Sequence, residues 1–250
     1  MCLKFFLAAF MALNMSWIWA APVAAPVLDS APYGWIDALG NPRGLYPDIF
    51  MALARQTGLE IRVRIVPFAR AANMVAAGNA DTTLMFRNGF TEGKVIEAAQ
   101  VFFTEQIVQT RSDYPIKSRE QLVTMLIGRI RGGCGELAND ASHAWRFYEL
   151  NTQQQGVNML LAQRIDAFCT TGEAIDFALQ QVNNKTALAR QNRISLGEKP
   201  VWLMFSPTLG KETRTALLQG LKQLQHNGEL ARIFRHYLGN QYVLKLGNTA

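Results

Sequence analysis

The sequence predicts an α/β fold, in which short parallel strands alternate with helices. Three observations carry this. Residues 60–66 alternate, with Ile61, Val63 and Ile65 on one face and Arg62 and Arg64 on the other, as a half-buried strand does. Phe68, Ala71, Ala72 and Val75 then fall at i, i+3, i+4 and i+7, the apolar stripe of a short helix. Asp81 leads into a β-prone run over residues 82–86. Strand, helix, strand is a βαβ unit whose two strands should be parallel neighbours.

From the N-terminus, residues 1–20 read as a signal peptide. Lys4 supplies the positive region, and residues 5–13 form an apolar core too short to span a bilayer. Cleavage is expected after Ala20, with Ala25 as the alternative, so the mature protein should be exported to the periplasm. Cys2 precedes the apolar core, which argues against a lipid anchor. Residues 31–41 read as an apolar strand fragment and a turn, and open the mature fold. Asp48 suits a helix N-terminus, Ile49, Phe50 and Leu53 face inward, and Gly58 stops that helix.

Ligands of open α/β sheets bind beyond the carboxyl ends of the strands, where the next helices begin. Arg70, in the first turn after Pro67, and Arg87, just past a strand, share that edge with Tyr33 and Trp35. A cation in a first helical turn opposes the helix dipole, so a bound anion would account for Arg70; a solvated or ion-paired arginine is the alternative. The two aromatic residues either stack on a ligand or fill the core.

A second lobe follows from an internal echo. Met159, Ala162 and Asp166 repeat the spacing of Met74, Ala77 and Asp81: a short helix, a break, then Asp at a strand start. Gly132, Gly133 and Gly135 make a glycine-rich turn whose backbone N–H groups can hold a carboxylate or phosphate, without dinucleotide spacing. Cys134 and Cys169 each close a strand-like run; an exported pair permits a disulfide, and two separate thiols are the alternative.

Composition narrows the function. At 49% hydrophobic and 18% charged, the chain can bury a core. Its net charge of +6 is spread out, with no basic stripe interleaved with aromatics, so nucleic acid is not an expected partner. His143, His226 and His236 lack ligand spacing, so neither a metal nor a cofactor is expected.

The order Pro32-Tyr33, Asp37, Gly40, Gly44, Asp48, Gly58, Pro67, Arg70, Gly78 and Asp81 resembles the amino-acid-type periplasmic solute-binding proteins of bacterial ABC importers. The similarity continues through Thr91, Phe102-Phe103, Arg164 to Ala167, and Gly228 to Tyr237. It implies two α/β lobes, each an open and mostly parallel sheet flanked by helices, joined by two crossover strands. Lobe one would comprise residues 26–108 and 207–250, and lobe two residues 109–206 with the crossover segments. A monomer that clamps a small solute and delivers it to a membrane permease is the implied function.

Departures from the family bear on the ligand. Where its members carry Thr-x-x-Arg, this chain has Thr91 and Lys94, which keeps charge but loses the planar fork, so Arg87 is expected to supply the guanidinium. Where an aspartate holds the ligand's ammonium group, this chain has Thr171, with Glu173 close by as a substitute; a ligand without an ammonium group is the alternative. The expected ligand set is Tyr33, Trp35, Arg70, Arg87, Thr91, Lys94, Gly133, Thr171 and Glu173, for an amino acid or related small carboxylate. Two rivals share the scaffold: an exported dehydratase-like enzyme using Glu173 as acid or base, and a receptor feeding a sensor kinase.

Overall fold

A computed structural model describes residues 21–180 and 192–248; the expected signal peptide lies outside the described residues. The fold opens earlier than residues 31–41. Its first strand is β1 (Val23–Leu28), parallel to β4 (Ile61–Val66) with Val23 opposite Ile61. Residues 31–33 are a turn, and β2 (Trp35–Ile36) with β3 (Pro42–Arg43) makes only a two-residue hairpin. β1 escapes a pattern search because it is buried on both faces and carries Ala24, Ala25 and Pro26, poor strand formers. Cleavage after Ala25 would remove three residues paired with β4.

Helix α1 (Leu45–Thr57) buries Ile49, Phe50 and Leu53, and its first-turn Asp48 accepts the Tyr237 hydroxyl at 2.8 Å. Helix α2 (Phe68–Ala76) starts one residue after Pro67, which serves as its cap, and buries Ala71, Ala72 and Val75. Strand β5 (Thr82–Met85) follows and lies beside β1, where the Thr83 hydroxyl donates to the Pro26 carbonyl at 2.7 Å.

Two long strands then cross the molecule. β6 (Ile96–Thr110) pairs antiparallel with β10 (Arg193–Phe205), with register shifts on either side of Glu198 to Val201 and again at Leu203/Met204. Between them come the 3-10 turn Arg119–Thr124, β7 (Leu126–Ile130), α3 (Gly135–Ala138), β8 (Arg146–Leu150), α4 (Gln153–Leu161), β9 (Ala167–Thr171) and α5 (Gly172–Gln180). The sheet order is β8-β7-β9-β6, with the first three parallel. After β10 the chain returns through α6 (Lys211–His226) and α7 (Glu229–Leu238), and a short β11 (Lys245–Leu246) pairs with Phe103 and Phe102.

The buried apolar residues divide accordingly. Val27, Phe50, Val101, Phe102, Leu203, Leu221 and Phe234 share one core. Ile107, Val157, Phe168 and Ile175 form a second, and Val108, Leu122, Ile127 and Leu137 a third. Phe102 and Ile107 stand on the same strand but in different cores, so the chain is two-lobed with β6 and β10 as the bridges. Among the described residues no helix is long and apolar enough to cross a membrane.

Candidate functional site

A cleft of about 860 Å³ lies between the lobes, at the carboxyl ends of their parallel strands. Lobe one contributes Leu28, Ser30 and Tyr33 after β1, Phe68 from α2, and residues 86–89 after β5. Lobe two contributes Arg129, Ile130 and the glycine turn after β7, then Thr170 and Thr171 at the end of β9. Gln106 of β6 and Lys199, Pro200 and Trp202 of β10 line it from the crossover strands.

The lobe-one wall carries the aromatic residues Tyr33, Phe68 and Phe86, and the lobe-two wall carries the glycine turn among polar and charged side chains. They touch at Gly132, whose φ of +80° favours glycine: a Cβ there would stand 3.1 Å from Phe90 and 3.5 Å from Phe68. The turn is tied down by the Cys134–Cys169 disulfide, with an S–S distance of 1.97 Å, and both cysteines line the cleft.

Charges in the cleft come as pairs. Arg87 donates from Nε to Glu97 at 2.7 Å and lies over the Trp202 ring, 4.7 Å from its centroid. Arg129 donates from Nε to Glu149 at 2.8 Å and lies over Phe147 at 4.0 Å. Arg119 donates to Asp140 at 2.8 Å, and Lys199 contacts Glu136. The Asp140 carboxyl is pulled down to about 2, mainly by the Ser142 hydroxyl and N–H and then by Arg119. The Ser30 hydroxyl and the Trp202 indole N–H are buried without a protein partner, and both residues line the cleft. Buried polar atoms without a partner are costly, so these two suit a bound water or ligand.

Of the residues expected from sequence, Tyr33, Arg87, Gly133 and Thr171 line the cleft. Trp35 does not: it packs edge-on to Tyr237 and tilted against Phe177, behind the cleft. Arg70 is exposed on α2, outside the lining. Thr91 is buried with its hydroxyl on the Asn88 carbonyl at 3.1 Å, and Lys94 is exposed. Asn88 explains both, since its side chain accepts the Phe90 N–H at 3.0 Å and its carbonyl accepts the Thr91 and Glu92 N–H groups, folding this loop into a tight turn.

Glu173 also stays out of the cleft. Its carboxyl is buried at the root of α5, accepting from Thr104 on β6 and from Tyr242 at 2.7 Å, with Tyr33 at 3.5 Å. Burial raises its pKa above the usual 4.5, although the hydrogen bonds from Thr104 and Tyr242 pull the other way. Tyr33 in turn shares a 2.6 Å hydrogen bond with Thr171. This cluster joins lobe one, lobe two, a crossover strand and the C-terminal segment beneath the cleft.

Phe68, Phe86, Trp202 and Arg129 also line the cleft, outside the set expected from sequence. Arg129 was within reach, because the strand-end rule that singles out Arg87 applies equally near the end of β7. Trp202 was not, since only the pairing of β10 with β5 carries it beneath Arg87. Among the described residues no cluster of three or more metal-ligating side chains occurs.

Residues 24–240 match the family described as bacterial extracellular solute-binding proteins, family 3. Solved structures share the fold at low identity. A histidine kinase sensor domain with similarity to periplasmic binding proteins superposes with a TM-score of 0.77 at 17% identity, over 88% of this chain and 97% of that one. The arginine-, lysine- and histidine-binding protein ArtJ from Geobacillus stearothermophilus gives 0.73 at 16% identity, over 88% and 96%. EhuB in complex with hydroxyectoine gives 0.71 at 20% identity, over 86% and 87%. No curated protein matches the chain in sequence.

Proposed function

Because the chain belongs to the bacterial extracellular solute-binding proteins of family 3, we propose that it is an exported receptor that clamps a small polar solute between its lobes. The solute class is an amino acid or a related small carboxylate, and delivery is to an ABC permease. The observation that carries this reading is a cleft lined from both lobes and from both crossover strands. A solute touching both walls favours the closed arrangement by its differential affinity for it, which is the whole of the work such a receptor does.

A second reading has its own support. The likeness to a kinase sensor domain means that the same clamp could report the solute to a signalling partner instead. Catalysis has less behind it, since Glu173, the acid or base expected from the sequence, is buried outside the cleft lining.

Thermal unfolding of the mature protein across amino acids, polyamines and small carboxylates tests the proposal. A ligand at about 100 times its Kd adds about 2.7 kcal/mol, or roughly 5–10 °C at this size. A saturable rise with the compound recovered unchanged is the expected result. A rise with the compound consumed would indicate an enzyme, and no rise with any compound would overturn the reading.

A further inference from the structure

The two walls of the cleft hold an arginine in the same way. Arg87 on lobe one lies over Trp202, its Nε donates to Glu97 at 2.7 Å, and its Nη2 stands 2.5 Å from the same carboxylate oxygen. Arg129 on lobe two lies over Phe147, its Nε donates to Glu149 at 2.8 Å, and its Nη1 reaches the Gly133 carbonyl at 3.4 Å. An aromatic face and a carboxylate on the Nε edge fix the plane of each guanidinium. Among the described residues, Nη1 of Arg87 and Nη2 of Arg129 have no protein partner, and both arginines line the cleft. Each wall therefore offers one guanidinium nitrogen that is not engaged by the protein and suits a carboxylate oxygen.

Among the described residues, no carboxylate without a cation lines the cleft to meet an ammonium group. The carboxylates that line the cleft are Glu136 and Asp140, and each already has a cation, Lys199 and Arg119. Glu173 lies outside the lining, and the hydroxyl of Thr171 is engaged by Tyr33.

We propose that Arg87 and Arg129 form a two-point clamp for a small dicarboxylate that carries no ammonium group. This deepens the receptor reading and rests on it. One carboxylate docks on the Nη edge of Arg87, and closure of the lobes brings the Nη edge of Arg129 to the other. A monocarboxylate satisfies one wall only, so it gains nothing from closure. Glu97 and Glu149 weaken the bare charge of each arginine, which leaves selectivity to the geometry of the donors rather than to net attraction.

Isothermal titration of the mature protein with succinate, glutarate, adipate, butyrate and L-glutamate tests this. At least one of the three dicarboxylates is expected to bind tenfold or more tightly than butyrate, and more tightly than L-glutamate. Arg87→Gln and Arg129→Gln should each weaken that ligand at least tenfold, and Arg129→Lys, which keeps the charge but not the fork, should fall between. Circular dichroism and unliganded Tm check that each variant is folded; if Arg129→Gln is not, Arg87→Gln and Arg129→Lys carry the comparison. Preference for L-glutamate or butyrate, or unchanged affinity in the arginine variants, overturns the clamp and leaves the receptor intact. Binding of none of these five, with a hit elsewhere in the wider solute panel, also overturns the clamp alone. Binding of nothing in either set overturns both.

Discussion

In lobe one, the Asp81 carboxylate accepts the Ala24 N–H at 2.7 Å while the Asp81 N–H donates to the Ala24 carbonyl at 3.0 Å. In lobe two, Asp166 makes the same pair with Leu126, at 2.8 and 2.9 Å. The preceding helices end alike as well. Asn79 donates back to Met74 and Arg164 to Met159, both at 2.9 Å, around a left-handed residue, Gly78 in one lobe and Gln163 in the other. The frames share these hydrogen bonds, yet apart from one arginine over an aromatic ring apiece the walls they support are unlike. One presents Phe68, Phe86 and an arginine on Trp202; the other presents a glycine turn stapled by a disulfide. A frame is held by backbone hydrogen bonds and tolerates few alternatives, whereas a wall is constrained only by what it must touch.

The disulfide is the sharpest difference, because among the described cysteines it staples lobe two alone. It closes a loop with a sequence separation of 35 residues, for which chain entropy gives about 2–4 kcal/mol. Cys134→Ser with Cys169→Ser should therefore loosen lobe two selectively. Hydrogen exchange is expected to show amides of β7 and β9 losing protection while those of β1 and β4 keep theirs. An equal loss in both lobes would show that they unfold as one unit, and would break the comparison.

The left-handed residues should answer with opposite signs. Gly78, with φ +76°, would place a Cβ 3.3 Å from Thr208, so Gly78→Ala should cost about 1–2 kcal/mol. Gln163 already bears that conformational cost at φ +59°, so Gln163→Gly should be neutral or stabilising by up to about 1 kcal/mol. Urea midpoints of the two variants measure this directly. Loss in both would mean that the Gln163 side chain contributes something beyond the helix end.

This asymmetry also explains what the sequence could tell. Met74, Ala77, Asp81 and their counterparts are legible because a fixed backbone motif needs residues at fixed spacing, and the second lobe follows from that. β1 was hidden, since a strand buried on both faces shows no alternation and here adjoins a leader-like segment. The walls were harder still. Arg87 and Thr171 could be placed by their positions at strand ends, but Trp35 opens β2 and Glu173 lies in the first turn of α5, and both make contacts with residues far along the chain, Tyr237 and Tyr242. Thr91 and Lys94 were misplaced by a turn set by Asn88, a local detail that overrides the family spacing.

Glu173 offers the smallest effect and the one that concerns the junction of the lobes. Its pKa stands above 4.5 in the folded protein, chiefly because burial disfavours the anion. The folded state thus holds this proton more tightly than the unfolded chain does. That stabilisation is complete below the ordinary carboxyl range and is lost as pH rises from there through the raised value. Glu173→Gln keeps the shape and stays neutral throughout, so its Tm should hold where the wild type declines as pH rises above the ordinary carboxyl range. The difference should be a few degrees at most, since about 1 kcal/mol moves Tm by roughly 2–4 °C at this size. If the two profiles run parallel, the donors from Thr104 and Tyr242 offset the burial, and Glu173 is an anion held by hydroxyls. The carboxyl would then be a fixed charge beneath the cleft, and would oppose the binding of any anion there.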